Sequence, residues 1–74
     1  MKPETLGEIL SDMYVTAKDG EKVSNIHLFG IRFAKEITSC GTSPTEIARH
    51  AGIDVSYGTE ISKGRKLAKY VLIK

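Results

Sequence analysis

The chain has 74 residues and one cysteine, with 41% hydrophobic and 27% charged residues. It is too short for more than one domain and too apolar to remain disordered, so we expect a single globular domain. An internal disulfide is excluded, and no apolar run approaches the roughly 18 residues that a membrane-spanning helix needs. The first residues also lack the apolar segment of a secretory signal, and we therefore expect a cytoplasmic protein.

The predicted elements begin with two amphipathic helices in the first half of the chain. In the first, apolar residues recur at helical spacing and predict a helix over residues 4–16: Leu6, Ile9, Leu10, Met13 and Tyr14. In the second, a similar stripe predicts a helix over residues 22–38: Val23, Ile26, Phe29, Phe33 and Ile37. Gly30 lies within this second stripe, where it costs about 1 kcal/mol of helix stability relative to alanine. Alternatively, it permits a close helix crossing.

The start of a third helix at Ser43 is the strongest local signal. Ser43 suits the N-cap, Pro44 suits the first helical position, and Glu46 completes a capping box three residues after the cap. In a capping box the serine oxygen accepts an amide of the first turn, and the glutamate reaches back to the serine amide. Gly52 predicts the C-terminal end, so this helix should cover residues 44–51.

A fourth helix is predicted to begin at residues 54–56, and its end has more than one interpretation. Gly64 is a plausible stop, which would end the helix near Lys63 and leave a last turn or two after it. The apolar spacing also allows one continuous helix over residues 56–72. For the last residues, a short strand over residues 70–73 is the competing interpretation.

The third and fourth helices, with the glycine between them, have the layout of a helix-turn-helix (HTH). Ala48 is the small residue that the crossing needs on the first helix, and Gly52 tolerates a left-handed backbone in the turn. Three apolar residues are spaced to anchor both helices: Ile47, Ile53 and Ile61. We therefore predict an all-α fold of four to five helices, in a single HTH domain over residues 1–74 with its motif at about residues 44–64.

Charge is distributed unevenly along the chain, whose net charge is +2. All nine acidic residues lie at or before Glu60, and every charged residue after it is basic: Lys63, Arg65, Lys66, Lys69 and Lys74. A segment of one sign creates a local positive potential, and nucleic acid is the usual polyanion that such a segment binds. A solvated, lysine-rich end of the chain is the alternative interpretation.

The motif resembles the HTH of the phage-repressor type. That family shows an aliphatic–alanine pair, a glycine after three further residues, an aliphatic residue, an apolar residue in the second helix, and often a glycine followed by basic residues. The corresponding residues here are Ile47-Ala48, Gly52, Ile53, Ile61 and Gly64-Arg65-Lys66. Residues 27–31 and 56–61 are also similar to segments of small bacterial or phage HTH-like proteins.

This resemblance implies that the second helix of the motif enters the major groove of DNA. The residues expected near base edges are Ser56, Tyr57, Thr59, Glu60 and Lys63. The residues expected near phosphates are Arg49, Arg65, Lys66 and Lys69. Tyr57 has a second interpretation, as a partly buried packing residue. The sequence departs from the family pattern at Val55, usually polar, at Gly58, usually a buried aliphatic, and at Glu60, which places a negative charge on the face that meets DNA.

No set of residues predicts catalysis or a bound cofactor. His27, His50 and Cys40 are three widely spaced residues where a structural zinc needs about four ligands, so each histidine is expected to be a satisfied or surface residue. Cys40 has no adjacent base, and the glycines are scattered rather than grouped in a phosphate loop. We expect no enzymatic activity, no cofactor or metal, no small-molecule ligand and no membrane association.

Two functions from different classes remain open. The first is a small transcriptional regulator that binds double-stranded DNA, by resemblance as a homodimer through the first helix or residues 70–73. The second is a protein-interaction module with an HTH-like fold, such as an adaptor, an antirepressor or a subunit of a DNA-processing complex. The acidic first 60 residues favour the second, because they would repel DNA over most of the surface.

Overall fold

The computed structural model describes residues 1–71, which form five α-helices and one turn of 3₁₀ helix. The α-helices are α1 (Pro3–Val15), α2 (Lys22–Arg32), α3 (Ala34–Ser39), α4 (Pro44–Ala51) and α5 (Gly58–Leu67), and the 3₁₀ turn (Val55–Tyr57) precedes α5. No strand occurs in this part of the chain, and the all-α prediction is confirmed. None of its helices is both long and apolar enough to cross a lipid bilayer.

A single core unites the helices, and each of the five contributes at least one buried apolar side chain. These side chains are Leu6, Leu10, Ile26, Phe29, Ile37, Ile47, Ala48, Ala51 and Ile61. Burying a side chain the size of leucine, isoleucine or phenylalanine contributes about 1.5–3 kcal/mol. The apolar stripe predicted for α1 faces the domain, with Leu6 and Leu10 buried and Ile9 and Met13 partly buried against the core.

The predicted helix over residues 22–38 is wrong, because the chain bends at Phe33. The Phe33 backbone leaves helical values (φ −108°, ψ 25°), which ends α2 and starts α3. The bend keeps hydrogen bonds on both sides, since the Phe33 amide donates to Phe29 O at 3.0 Å and the Ile37 amide donates to Phe33 O at 2.8 Å. Because the apolar spacing continues across the bend, periodicity alone could not reveal it.

Both ends of α4 lie where the sequence placed them. Ser43 Oγ accepts from the Glu46 amide at 3.3 Å. At the other end, Gly52 has φ 76°, and the Ile53 amide donates to Ala48 O at 3.2 Å in a Schellman pattern. The second half of the capping box is not formed, and the Glu46 carboxylate pairs with the Arg49 guanidinium one turn later.

The close contact between α2 and α5 is made by two glycines. A Cβ added to Gly30 would lie 2.5 Å from the Ile61 carbonyl oxygen and 2.9 Å from Gly64 Cα, and a Cβ on Gly64 would collide with the His27 carbonyl oxygen. The crossing role considered for Gly30 is therefore correct. Gly64 does not end the helix, which continues to Leu67. Tyr70 and Val71 are not in a strand, and the rest of the predicted strand lies outside the described residues.

Two further glycines lie at close helix contacts. On α1, Gly7 faces the backbone of His50 and Ala51, so that a Cβ would lie 2.9 Å from the His50 carbonyl carbon. At the start of α5, a Cβ on Gly58 would lie 2.9 Å from Thr45 Cα. Since α4 and α5 approach this closely, the aliphatic side chain that the phage-repressor type of HTH usually has at the position of Gly58 would not fit.

Candidate functional site

The outer face of α5 is polar and accessible. Thr59, Lys63 and Lys66 follow one another at helical spacing, and all three are exposed. The opposite face holds the buried residues of the helix: Gly58, Ile61 and Gly64. Two of the residues predicted to contact base edges, Thr59 and Lys63, therefore share one accessible surface with one predicted phosphate contact, Lys66.

Ser56 lies just before this surface, in the 3₁₀ turn. Its side chain is exposed, and its amide donates to Asp54 Oδ1 at 2.9 Å. That hydrogen bond holds the pKa of Asp54 below its ordinary value, so Asp54 stays ionised at neutral pH and caps the turn. The neighbouring Val55 is exposed, so the apolar side chain that departs from the family pattern lies on the surface.

Tyr57 is partly buried and packs against the core. Its ring centroid lies 5.6 Å from that of Tyr14. Lys22, at the start of α2, places its Nζ 4.5 Å from the same Tyr14 ring centroid. The neighbouring Tyr14 side chain raises the pKa of Tyr57. The structure thus places Tyr57 in the packing role that was its second interpretation, where it ties the start of α5 to the end of α1.

Glu60 is held between α2 and α5 by two donors. His27 Nε2 donates to Oε1 at 2.7 Å, and Lys63 Nζ donates to Oε2 at 3.3 Å. The hydrogen bond from His27 lowers the pKa of Glu60 most, and Lys63 lowers it further. The negative charge that the sequence placed on the outer face is therefore matched by neighbouring donors, and His27 is a satisfied histidine as expected.

Three of the predicted phosphate contacts meet in one place, which we call the basic groove. It is a shallow groove of about 530 Å³ between α3 and the end of α5, lined by Ala34, Lys35, Thr38, Arg65, Lys66, Ala68 and Lys69. Lys66 also lines a smaller hollow of about 340 Å³ with Lys63, Leu67 and Tyr70. The basic groove and the outer face of α5 therefore adjoin at Lys66.

Arg49 is not among the residues of the basic groove. It is exposed on α4 and pairs with Glu46 on the same helix. Conversely, Lys35 lines the groove although sequence reasoning did not single it out. No local signal could have linked Lys35 to Arg65, since only the bend at Phe33 and the packing of α3 beside α5 bring them together.

Other reactive side chains do not form a second site within residues 1–71. No three His, Cys, Asp or Glu side chains in this part of the chain are placed to hold a metal ion. The Cys40 thiol donates to the Ile37 carbonyl oxygen at 3.2 Å.

Comparison with known proteins gives one match. A sequence family described as an HTH-like domain matches residues 2–74. No curated protein matches the chain, and no solved structure matches it. The match spans nearly the whole chain.

Proposed function

We propose, from the premise that this chain belongs to the family of HTH-like domains, that it is a small transcriptional regulator that binds double-stranded DNA. An HTH-like domain suggests a DNA-binding or regulatory role in general terms. The observation that carries the more specific proposal is the accessible, polar outer face of α5, which is continuous with the basic groove through Lys66.

In this proposal the first two turns of α5 enter the major groove. Ser56 and Thr59 offer hydroxyls to base edges, and Lys63 donates to the acceptors of guanine. Each good base contact discriminates against a wrong base by about 1–3 kcal/mol. Lys63 is 60% exposed and shares only a 3.3 Å hydrogen bond with Glu60, so it can exchange that bond for a base.

Glu60 and Tyr57 act in this proposal by positioning the recognition surface. The Glu60 carboxylate already accepts from His27 at 2.7 Å and from Lys63 at 3.3 Å, and these hydrogen bonds hold its side chain toward α2. The Tyr57 ring packs against Tyr14. Both side chains hold the start of α5 against α1 and α2, which preorganises Ser56, Thr59 and Lys63.

A salt titration on random duplex DNA tests the proposal most directly. About four phosphate contacts predict a loss of affinity of roughly 10²-fold between about 50 and 200 mM salt. Fluorescence anisotropy of a labelled duplex would measure this loss. Absence of binding at low salt would reject the proposal and leave a protein-interaction module as the better explanation.

Base readout needs a second experiment, because phosphate contacts carry no sequence information. A binding site is first selected from a random duplex library with the unmodified protein. Lys63→Ala should then lose affinity for the selected site and keep its affinity for random DNA. Lys18→Ala is the matched control, since Lys18 is an exposed lysine in the loop between α1 and α2.

The alternative function, a protein-interaction module, is favoured by the exposed apolar residues near the end of α5. Tyr70 is 79% exposed and Leu67 43% exposed, beside the smaller hollow. The same surface is a candidate for a homodimer interface, because its apolar side chains are more exposed than those of the α1 stripe. Sedimentation of the protein with and without DNA separates these cases: a dimer on DNA supports the regulator, and self-association without DNA binding supports the alternative.

A further inference from the structure

We infer that the basic groove between α3 and α5 seats the sugar-phosphate backbone of the bound duplex, and that α4 does not contact it. The inference rests on the proposed function and goes beyond it in two ways. It assigns Lys35 to the DNA-binding surface, and it moves the main backbone contact away from the first helix of the motif. In the usual HTH geometry that first helix crosses the backbone.

The first support is the uncompensated charge of the groove. Four cationic side chains line it, Lys35, Arg65, Lys66 and Lys69. Within residues 1–71, none of these four is in an ion pair with a carboxylate. Cations that face one another without counter-charges create a positive potential that a polyanion relieves.

The shape of the groove suits the sugar-phosphate backbone of a duplex better than a small ion. Its apolar wall residues are alanines, Ala34 and Ala68, which keep it shallow and open. Thr38 Oγ1 already donates to the Ala34 carbonyl oxygen at 2.9 Å, so its hydroxyl proton is in use. The four cationic side chains remain as donors, and flexible donors spread along an open groove suit successive phosphates of one backbone.

The second support is that α4 has no excess positive charge to attract a phosphate. Its arginine, Arg49, pairs with Glu46, and the pair is neutral. Glu46 also lies in the first turn of α4, where a phosphate would otherwise meet the positive end of the helix dipole. A carboxylate at that place opposes an approaching phosphate.

The third support is the length of α5. Thr59 and Lys66 are two helical turns apart, roughly 10 Å along the helix axis. In the HTH geometry the N-terminal residues of the recognition helix contact base edges. That arrangement leaves the last turn of α5 free for a backbone, and the bend at Phe33 places Lys35 beside that last turn.

The test compares Lys35→Ala and Lys69→Ala with Arg49→Ala in duplex binding. All three side chains are exposed, so thermal unfolding should confirm that each variant remains folded. Lys35→Ala and Lys69→Ala should weaken binding to a selected site and to random DNA by the same factor. Each should also reduce the slope of log affinity against log salt by about one. Arg49→Ala should leave the affinity and the slope unchanged.

Each contrary result has a distinct meaning. If the unmodified protein binds duplex DNA, but Arg49→Ala reduces the salt slope and Lys35→Ala does not, the inference is wrong and the proposed function stands. A loss for Lys35→Ala on one sequence only would make Lys35 a base contact and overturn the inference. If these variants lose DNA affinity only at protein concentrations at which the chain self-associates, the groove binds a second copy of the chain and the inference is wrong. If the unmodified protein binds no duplex, both fail together.

Discussion

The two helices of the motif, α4 and α5, are held in place by different kinds of interaction. α4 begins at a serine cap, Ser43, and ends at a left-handed glycine, Gly52. α5 has no side-chain cap, and it contains two glycines, Gly58 and Gly64. Gly64 lies in the interior of α5, where a glycine costs about 1 kcal/mol relative to alanine. α4 is therefore specified by its own residues, whereas α5 is helical because its neighbours hold it.

This difference matters for binding because α5 carries the proposed recognition surface. Its glycines let the backbones of α2 and α4 approach closely, which fixes the direction in which Thr59 and Lys63 point. A substitution on the inner face should therefore damage the fold, whereas one on the outer face should change binding and leave the fold intact. Gly64→Ala tests the inner face of α5, Ser43→Ala tests the cap of α4, and Glu60→Gln tests the hydrogen bond that joins α5 to α2.

The largest effect is expected for Gly64→Ala. In an isolated helix alanine would stabilise by about 1 kcal/mol. Here the added methyl collides with the His27 carbonyl oxygen, a backbone atom that cannot rotate away. We expect a net loss of about 1–3 kcal/mol in the free energy of unfolding, measured by urea denaturation.

Thr59→Ala is the matched control for this substitution, since it changes the outer face of the same helix. Its effect on the free energy of unfolding should stay within about 0.5 kcal/mol. A Gly64→Ala variant that is more stable than the unmodified protein would show that the α2–α5 contact can relax, and the contrast between the two faces would be lost.

A smaller loss is expected for Ser43→Ala at the start of α4. The substitution removes the oxygen that accepts from the Glu46 amide, and loss of such a cap costs about 1 kcal/mol. Urea denaturation measures it, with Ser24→Ala, at an exposed serine of α2, as the control. An equal loss in the free energy of unfolding for Ser43→Ala and Gly64→Ala would contradict this order, because one cap would then contribute as much as the α2–α5 contact.

The smallest effect is expected for Glu60→Gln, and it should depend on pH. The folded-state pKa of Glu60 is lowered from its ordinary value of 4.5, mainly by His27. The stability that its charge contributes is therefore present above that ordinary value and is lost as pH falls through the lower, folded-state pKa. Glu60→Gln should be less stable than the unmodified protein at neutral pH and equal to it in acid.

Urea denaturation of both proteins at neutral pH and at about pH 3 measures this difference. Asp54, whose pKa is also lowered, is present in both proteins and cancels in the comparison. Glu8→Gln, at an exposed carboxylate of α1, is the matched control for replacing a carboxylate by an amide. If the difference in the free energy of unfolding persists unchanged in acid, Glu60 stabilises the fold through its packing rather than its charge.

The prediction of the fold was most successful where neighbouring residues determine the structure. α1 and α4 lie within a residue or two of their predicted bounds, because caps and apolar spacing act within one or two turns. The bend at Phe33 was missed, because Ile37 continues the spacing of the stripe on α2. Gly64 was ambiguous, because a glycine that ends a helix and one that admits another helix are the same residue in a sequence.

The candidate site divides in the same way. Lys66 was predicted as a phosphate contact because the run of basic residues after Glu60 is visible in the sequence. The structure places Lys66 in the basic groove. Whether Lys66 touches DNA remains a prediction. Lys35 was missed. Glu60 was expected among the residues near base edges, and its hydrogen bond with His27 was not foreseen, because His27 is 33 positions away in the chain.

By itself, the sequence determined that this chain is helical, where α4 starts and stops, and that positive charge collects after Glu60. These properties depend on local backbone preference and on composition, which need no long-range contact. Only the tertiary structure decided that α5 continues through Gly64, that the chain bends at Phe33, and that Lys35 joins Arg65 in one groove. Those outcomes follow from which backbones can touch, and touching depends on residues that are far apart in the chain.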